Sequence, residues 1–536
     1  MILKRIELRN FRCFEDFSLN LDGSSAFVVA PNGGGKTSLL ECLAKGCGIG
    51  RSVSREDFRD IEIPIEIVLT ISDLPVDAIG IFADHTQFGQ GQPVVKMGMR
   101  AVWMEEEQEL DVMHGFPEPT WTRSTRAQRD ALAVLWLPAN RDPSRSLQLV
   151  GSPSVLADLV GGLQLDEALQ VAVQALDQAA QNLAATEQLA HLLQAASADL
   201  DQMASREQAR AFQLAPSAST DEDLLRQLQL LINDEAIGTA LPIIRQSSGL
   251  AQLALFAFVL RALSVEESNV LLLVDEPELS LHPHAQRALA ARLRDSAAQA
   301  LITTHSSNVL DRADPRSVIR LNDTANGVVA SSSGTISDAE AIRLTRISDP
   351  RTAEAFFATR VLVVEGESDH AAIRALADRL GKNLDAEGIS VISLEGAGTF
   401  STFFSLLGRT GLDIPLGGLC DVDEEPTWRG VLASSGLEVE DASDMASAGF
   451  FVCHEDLEDE LFRALGATGV EAALRSGGEG AAFDRFAEQP TQSGTHEDVL
   501  RRYVDKNKVR CAPILIDALD LDANIPIPLN DLLSHA

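Results

Sequence analysis

Polar and apolar positions alternate across ILKRIELR at residues 2–9, which predicts a strand with one buried face. The unbroken apolar run Ala26–Ala30 predicts instead a short strand buried on both faces. A glycine-rich turn follows it, and a helix is expected from about Lys36. Further strands are expected around residues 61–71 and 94–104, giving a mixed sheet before the Pro138–Pro143 turn. From Val155 to Met203 glycine and proline almost disappear, and Leu169, Leu176, Leu183 and Ala190 recur at heptad spacing. This predicts a helical arm, open to folding as an antiparallel hairpin, whose apolar seam serves either a coiled-coil dimer or its own domain. The runs 270–274 and 300–303 are again short apolar strands. NGVVASSSGTIS has the composition of a surface loop and puts a domain boundary near residues 325–357. Beyond it VLVVEG, ISVISLEG, IPLGGLCDVD and GFFVCHEDL alternate with helical segments, the rhythm of an α/β domain with parallel strands. The expected division is 1–150 and 236–345 for one α/β domain, 151–235 for the arm inserted in it, and 356–536 for a second α/β domain with a helical extension.

The chemistry sits where these strands end. Ala30-Pro31-Asn32-Gly33-Gly34-Gly35-Lys36-Thr37-Ser38 lies between a strand and a helix, the context a P-loop needs. Its backbone N–H groups and the helix N-terminus would cradle ATP phosphates, Lys36 would neutralise their charge, and Thr37 would ligate Mg²⁺. Ala30 replaces the usual first glycine. The 270–274 strand delivers Asp275, suited to the Mg²⁺ shell, and Glu276, suited to polarising an attacking water. The 300–303 strand leads to His305, in reach of a γ-phosphate. In the second domain Glu365 and Asp369 are expected to face one cation across a turn into a helix starting near His370. Asp421 and Asp423, at alternate positions of an extended chain, would point the same way. Carboxylates at the carboxyl ends of adjacent parallel strands make a site for a hard cation, Mg²⁺ with Mn²⁺ or Ca²⁺ as alternatives.

A net charge of −35 over 536 residues then restricts how such a protein meets nucleic acid. Phosphate backbones are bound through Lys and Arg, so any DNA contact must be local. Candidate basic clusters are Arg123/Arg126/Arg129, for which a solvated helix face is an equal alternative, Arg141/Arg145 and Arg501/Arg502/Lys506/Lys508/Arg510. Six scattered cysteines without a CxxC pair fit reduced, buried thiols. The absence of a long apolar run and of a signal-peptide core predicts a cytoplasmic protein without membrane insertion.

Pro31–Ser38, DEPELSLHP at 275–283, THSS at 304–307 and LKRIELRNFRCF resemble ABC-type ATPases of the RecF and SMC group. That resemblance implies ATP-dependent dimer contacts in which Ser248 and Gly249, from SSGLAQ, cap ATP on the partner, a plain helix N-cap at Ser247 or Ser248 being the alternative. Glu-Gly-x-x-Asp followed by Asp-x-Asp resembles a TOPRIM domain. The two together, joined by DPRTAEAFFATRVLVVEGESD, resemble the OLD family of nucleases, which includes Gabija and retron-associated relatives. The resemblance implies a two-metal site completed by Asp456 and Glu458 of HEDLEDELF and by Lys508 as the catalytic lysine, with Lys506 competing. A helix start enriched in acids also explains HEDLEDELF. It further implies cleavage of DNA in antiphage defence, a homodimer or higher oligomer, and a helicase or retron companion. The alternative is an ATP-operated DNA-binding clamp or sensor of the RecF/SMC type whose TOPRIM domain does not cut.

Overall fold

The structure is a computed structural model that describes the chain except at residues 23–24, 50–52, 75, 89–92, 151–153, 162–164, 204–212, 214, 217–219, 235–238, 266–269, 297–298, 312, 326, 333–335, 342–349, 395–398, 490–491 and 536. Its contacts group into one unit of Met1–Ala139, Asn269–Glu278 and Pro283–Ala536, and a second of Asn140–Ser268 and Leu279–His282.

The first unit opens with the predicted alternating strand, Ile2–Phe11, paired antiparallel to Phe14–Asn20 and to Ile65–Ser72. Val94–Met104 and Glu109–Phe116 extend this antiparallel sheet. The strand expected from residue 61 starts only at Ile65, because the buried Asn10 side chain takes the carbonyls of Asp60 and Ile63 and holds that stretch in a turn. A second sheet runs in the order Gly327–Ser332, Val318–Thr324, Ala26–Val29, Gln299–Thr303, Leu271–Asp275, Val134–Leu137. All its pairings are parallel except the first. Ala26–Val29, Leu271–Asp275 and Gln299–Thr303 are buried at every position, as a sheet covered on both faces requires. The Gly/Ser-rich stretch expected as a loop is in part this edge strand: Val328 is buried, and residues 327–332 pair with 319–324. Asn326 and residues 333–335 of that stretch, and residues 342–349 of the expected boundary, lie outside the described residues.

The two sheets share one apolar core, and a buried amide stitches them together. Gln299 Oε1 accepts from Leu3 N–H at 2.7 Å while its Nε2 donates to Leu3 O at 3.0 Å, so one side chain stands in for a missing strand neighbour. Four further strands form a separate parallel sheet ordered Ile389–Ser393, Arg360–Val364, Leu416–Cys420, Phe450–Val452. Helices Glu367–Arg379, Leu457–Ser476 and Lys508–Asp517 pack on one of its faces in a common core. All six cysteines are free thiols.

In the second unit the arm consists of helices Asp166–Ala184 and Glu187–Met203. Leu176, Leu183 and Ala190 of the heptad row are exposed, Leu183 at 56%, as are Val171 and Leu192 at 61% and 63%. Arg141 is not a surface cation: it is buried, donates to Gln252 at 2.8 Å and stacks over Phe256. Among the described residues no helix is long and apolar enough to cross a membrane.

Replacing Gln299 with leucine strands both polar groups of Leu3 in the core; the expected loss is about 2–4 kcal/mol, read as a lower denaturation midpoint, and an unchanged midpoint would refute the stitching role.

Candidate functional site

The P-loop is built by a strand that cannot continue. Val29 and Ala30 are fully buried, and the chain then turns through Gly33 and Gly35 in the left-handed region, at φ 79° and 89°. Gly34 is required for a different reason: a Cβ there would lie 2.7 Å from that of Ala30, so the alanine in the first position is tolerated because position 34 has no side chain. Lys36 opens the helix Lys36–Gly46 and folds back, donating to Ala30 O at 2.8 Å and Pro31 O at 3.3 Å. Burial lowers its pKa to about 8, against the pull of Glu276, Asp275 and Glu278. Thr37 Oγ1 is 3.3 Å from Asp275 Oδ1, which Thr303 also engages, so the hydroxyl and the carboxylate expected to share Mg²⁺ are already together. Asn32 and Gly33 stand exposed at the loop tip, and Ser38 Oγ accepts from Arg12 at 3.3 Å.

Glu276 is held at φ 47°, and its Oε1 lies 3.3 Å from His305 Nε2. His305 is itself fixed by its backbone N–H, which donates at 2.6 Å to Glu278. Burial and Lys36 lower the His305 pKa, which favours the neutral imidazole, with Glu276 and Asp275 opposing. Glu278 and Arg12 carry no sequence signal for their places here. Glu278 lies inside DEPE but its burial is tertiary; Arg12 bridges Glu41 at 2.6 Å and Asp57 at 2.8 Å, pairings that sequence spacing does not reveal. In the second unit Ser247 Oγ accepts from Leu250 N–H at 3.3 Å, so it caps the helix Ser248–Val265. Ser248 is exposed, and Gly249 packs so closely that a Cβ would lie 2.7 Å from Ser280 O.

The parallel sheet of residues 360–452 brings the second set of acids to one edge. Glu365 leaves the Arg360–Val364 strand and its Oε1 accepts from the Asp421 N–H at 2.6 Å, tying two adjacent strand ends. The following helix starts at Glu367, a turn earlier than expected, because Asp369 reaches back to accept from Gly366 N–H at 2.8 Å. The Asp-x-Asp segment is not extended. Glu424 N–H donates to Asp421 O at 3.1 Å, so residues 421–424 form a turn, Asp423 is exposed, and alternation does not align the two aspartates. The turn instead brings in Glu424, whose Oε2 is buried without a hydrogen-bond partner.

HEDLEDELF starts a helix and also meets Lys508. Asp456 caps the helix Leu457–Ser476 by accepting from Asp459 N–H at 2.8 Å, and Lys508 Nζ pairs with Glu458 at 2.7 Å and Asp456 at 3.5 Å. Lys506 points away, over the Phe486 ring at 5.2 Å. The rest of that basic cluster is also engaged: Arg501 pairs with Asp459 and Glu497, and Arg510 with Glu479. The single tyrosine, Tyr503, is buried and donates to Glu479 at 2.5 Å, so it is not a free nucleophile.

Burial crowds these acids and makes them reluctant to ionise. Asp421 is pushed up to about 8 by burial, Glu365, Asp369, Asp456 and Glu458. Glu458 is pushed up to about 7 by burial, even with Lys508 opposing. Burial raises Asp369 as well, and raises Glu365, with Asp369, Glu424 and Asp423 adding to it. Among the described residues no three such groups are closed around one point. Yet a cluster of hard oxygen donors, two of them with buried and unpartnered atoms, Glu424 Oε2 and Glu458 Oε1, fits a divalent cation and is otherwise destabilising.

Comparison with known proteins agrees with this division. Residues 356–423 match the family "Overcoming lysogenization defect protein-like, TOPRIM domain", and residues 5–92 and 136–311 match AAA domains. The chain is 26% identical over 458 residues to the OLD nuclease of Thermus scotoductus, covering 80% of this chain and 82% of that protein. It is 26% identical over 149 residues to the endonuclease GajA of Bacillus cereus, covering 27% of this chain and 25% of that protein. A structure of the C-terminal region of the Burkholderia pseudomallei OLD protein is 30% identical, with 33% of this chain and 96% of that one covered and a TM-score of 0.26.

The raised acids give a signed pH dependence. An acid whose folded pKa exceeds its unfolded value adds stability at low pH that is lost as pH rises towards the folded value, here from about 4 to about 8 for Asp421. Metal-free protein is therefore expected to melt at progressively lower temperature across that interval, and stabilisation by Mg²⁺ or Mn²⁺ to grow over it. Asp421→Asn should flatten both trends; melting curves with equal metal-induced shifts at low and high pH would contradict the assignment.

Proposed function

We propose that this chain, an OLD-family protein in which a P-loop ATPase of the ABC type is followed by a TOPRIM domain, is an ATP-regulated, divalent-metal-dependent DNA endonuclease. The observation that carries this reading is the convergence of Glu365, Asp369, Asp421, Asp456 and Glu458 on one sheet edge, with a lysine, Lys508, bound among them. Residues 1–150 and 236–345 form the ATPase, 151–235 the inserted arm, and 356–536 the nuclease domain.

Glu365, Asp369, Asp421, Asp423, Asp456 and Glu458 would hold the cation, and Glu424 joins them from the turn the structure adds. When bound, such an ion lowers the pKa of a water and steadies a leaving oxygen. Glu458 holds the Lys508 ammonium at the edge of the cluster, where it can meet the charge that builds on a phosphoryl group under attack. In the ATPase, Lys36, now on the Ala30 and Pro31 carbonyls, would be the cation for the phosphates of ATP, and the N–H groups of Asn32 to Ser38 would supply their hydrogen bonds. Asp275 and Thr37 would hold Mg²⁺, and Glu276, backed by His305, would take the proton of the attacking water. Ser248 and Gly249 cap ATP on a second copy; the exposed heptad row of the arm supports a homodimer. The setting is antiphage defence in the cytoplasm, with a helicase or retron product as companion.

One observation favours a clamp that binds DNA without cutting it: among the described residues no three of the acids are closed around one point that could hold a metal ion. Nicking of supercoiled plasmid separates the two. The nuclease reading expects metal-dependent nicking that Asp421→Ala abolishes and Glu276→Gln leaves catalytically possible, although Glu276→Gln lowers ATP turnover by roughly 100-fold or more. Equal behaviour of wild type and Asp421→Ala with Mg²⁺ and Mn²⁺, in every nucleotide state, would leave the clamp.

A further inference from the structure

Arg320 is a cation where the fold has little to offer one. It lies in the Val318–Thr324 strand, is 3% exposed, and has Nε and Nη1 buried without a hydrogen-bond partner among the described residues. Only Nη2 is satisfied, donating to Ala358 O at 2.6 Å. A buried guanidinium left two-thirds unpaired is costly, and chains rarely keep one without a use. Burial lowers the Arg320 pKa to about 10, and the carboxylate that opposes this belongs to Asp413. Asp413 forms no ion pair with it, is exposed, and sits at φ 54° in the segment before the Leu416–Cys420 strand.

The position of this residue matters as much as its state. Arg320 is the parallel-ladder neighbour of Val29, the last residue of the strand that enters the P-loop. Its one acceptor, Ala358 O, lies just before the Arg360–Val364 strand that ends at Glu365. Asn322, two residues on and therefore on the same side of the strand, donates at 3.0 Å to Leu412 O, just before the strand that ends at Asp421. One strand thus touches the root of the P-loop and the roots of both strands that carry the tied pair Glu365 and Asp421.

We propose that Arg320 is the positioning residue that couples the ATP site to the carboxylate site, by taking Asp413 as a second partner when nucleotide shifts the P-loop strand. In the state described here the guanidinium is held by Ala358 alone. When phosphates draw Lys36 off the Ala30 carbonyl, the Val29–Arg320 ladder moves with the loop, and the free Nε and Nη1 gain Asp413. The loop 408–415 and the 358–360 segment then close on one cation, which fixes the relative height of Glu365 and Asp421. A buried donor that goes from unpaired to charge-paired gives the two states different energies, the requirement for coupling.

This inference rests on the reading that ATP regulates cutting, and the experiment separates the two. The full chain is compared as wild type, Arg320→Met and Asp413→Asn, the last keeping a residue type at ease in the left-handed region and removing an exposed charge, so that folding is not at stake. Nucleotide binding, metal-dependent plasmid nicking with and without ATP, and amide exchange of residues 355–365 and 408–420 are measured on each. In wild type ATP is expected to protect both segments and to change nicking about fivefold or more; both variants should bind ATP and nick without it as wild type does, with the ATP effect on nicking and exchange reduced towards one. A full ATP effect in Asp413→Asn, or in a folded Arg320→Met, overturns the role of Arg320 and leaves the regulatory reading standing. No ATP effect on either readout in wild type overturns both.

Discussion

Parallel strands buried on both faces can release their polar residues only where they end, and both sites of this chain follow from that constraint. Ala26–Val29, Leu271–Asp275 and Gln299–Thr303 carry no exposed position, and at their carboxyl ends stand the P-loop, Asp275 with Glu276, and His305. The same arrangement recurs in the smaller sheet, where Arg360–Val364 and Leu416–Cys420 end at Glu365 and Asp421. In each case the strand ladder fixes the spacing between polar groups that are far apart in sequence, Asp275 and Thr303 in one sheet and Glu365 and Asp421 in the other. Register therefore does the work of bringing the chemistry together.

The two sites handle their charge differently. In the ATPase, Thr37 and Thr303 hydrogen-bond Asp275, His305 lies against Glu276 while its N–H binds Glu278, and Lys36 is held by loop carbonyls, so polar partners are in place before nucleotide arrives. The carboxylate cluster has one cation, Lys508, against at least five acids, and its acids are driven towards protonation. A site of that kind is incomplete without added positive charge. Among the nearby arginines, Arg501 is committed to tying the helices Leu457–Ser476 and His496–Lys506 together through Asp459.

The strands, the P-loop and the acids were legible in the sequence because each is a local pattern: an apolar run, a glycine cluster, a charge at a strand end. Val94–Met104 and Leu416–Cys420 fall where the pattern placed them. What was illegible was set by tertiary partners. Nothing in GVVASS announces an edge strand until it is laid beside residues 319–324. Asp421-Val422-Asp423 reads as extended chain, yet a backbone hydrogen bond from Glu424 turns it and brings Glu424 to the cluster as well. Lys506 and Lys508 are equivalent on paper; only the packing of Phe486 against one and Glu458 against the other separates them. Gln299 and Arg320 carry no local signature, since their meaning lies in what crosses the core to meet them.

The central claim is that the nucleotide site governs a metal-dependent cutting site in the same chain. It is tested most directly by single-turnover cleavage of supercoiled plasmid in matched Mg²⁺, with and without ATP, by wild type and Lys36→Ala. The account predicts that ATP alters the cleavage rate of wild type and that Lys36→Ala cuts at one rate in both conditions. Cleavage by Lys36→Ala that still follows ATP as wild type does would contradict it.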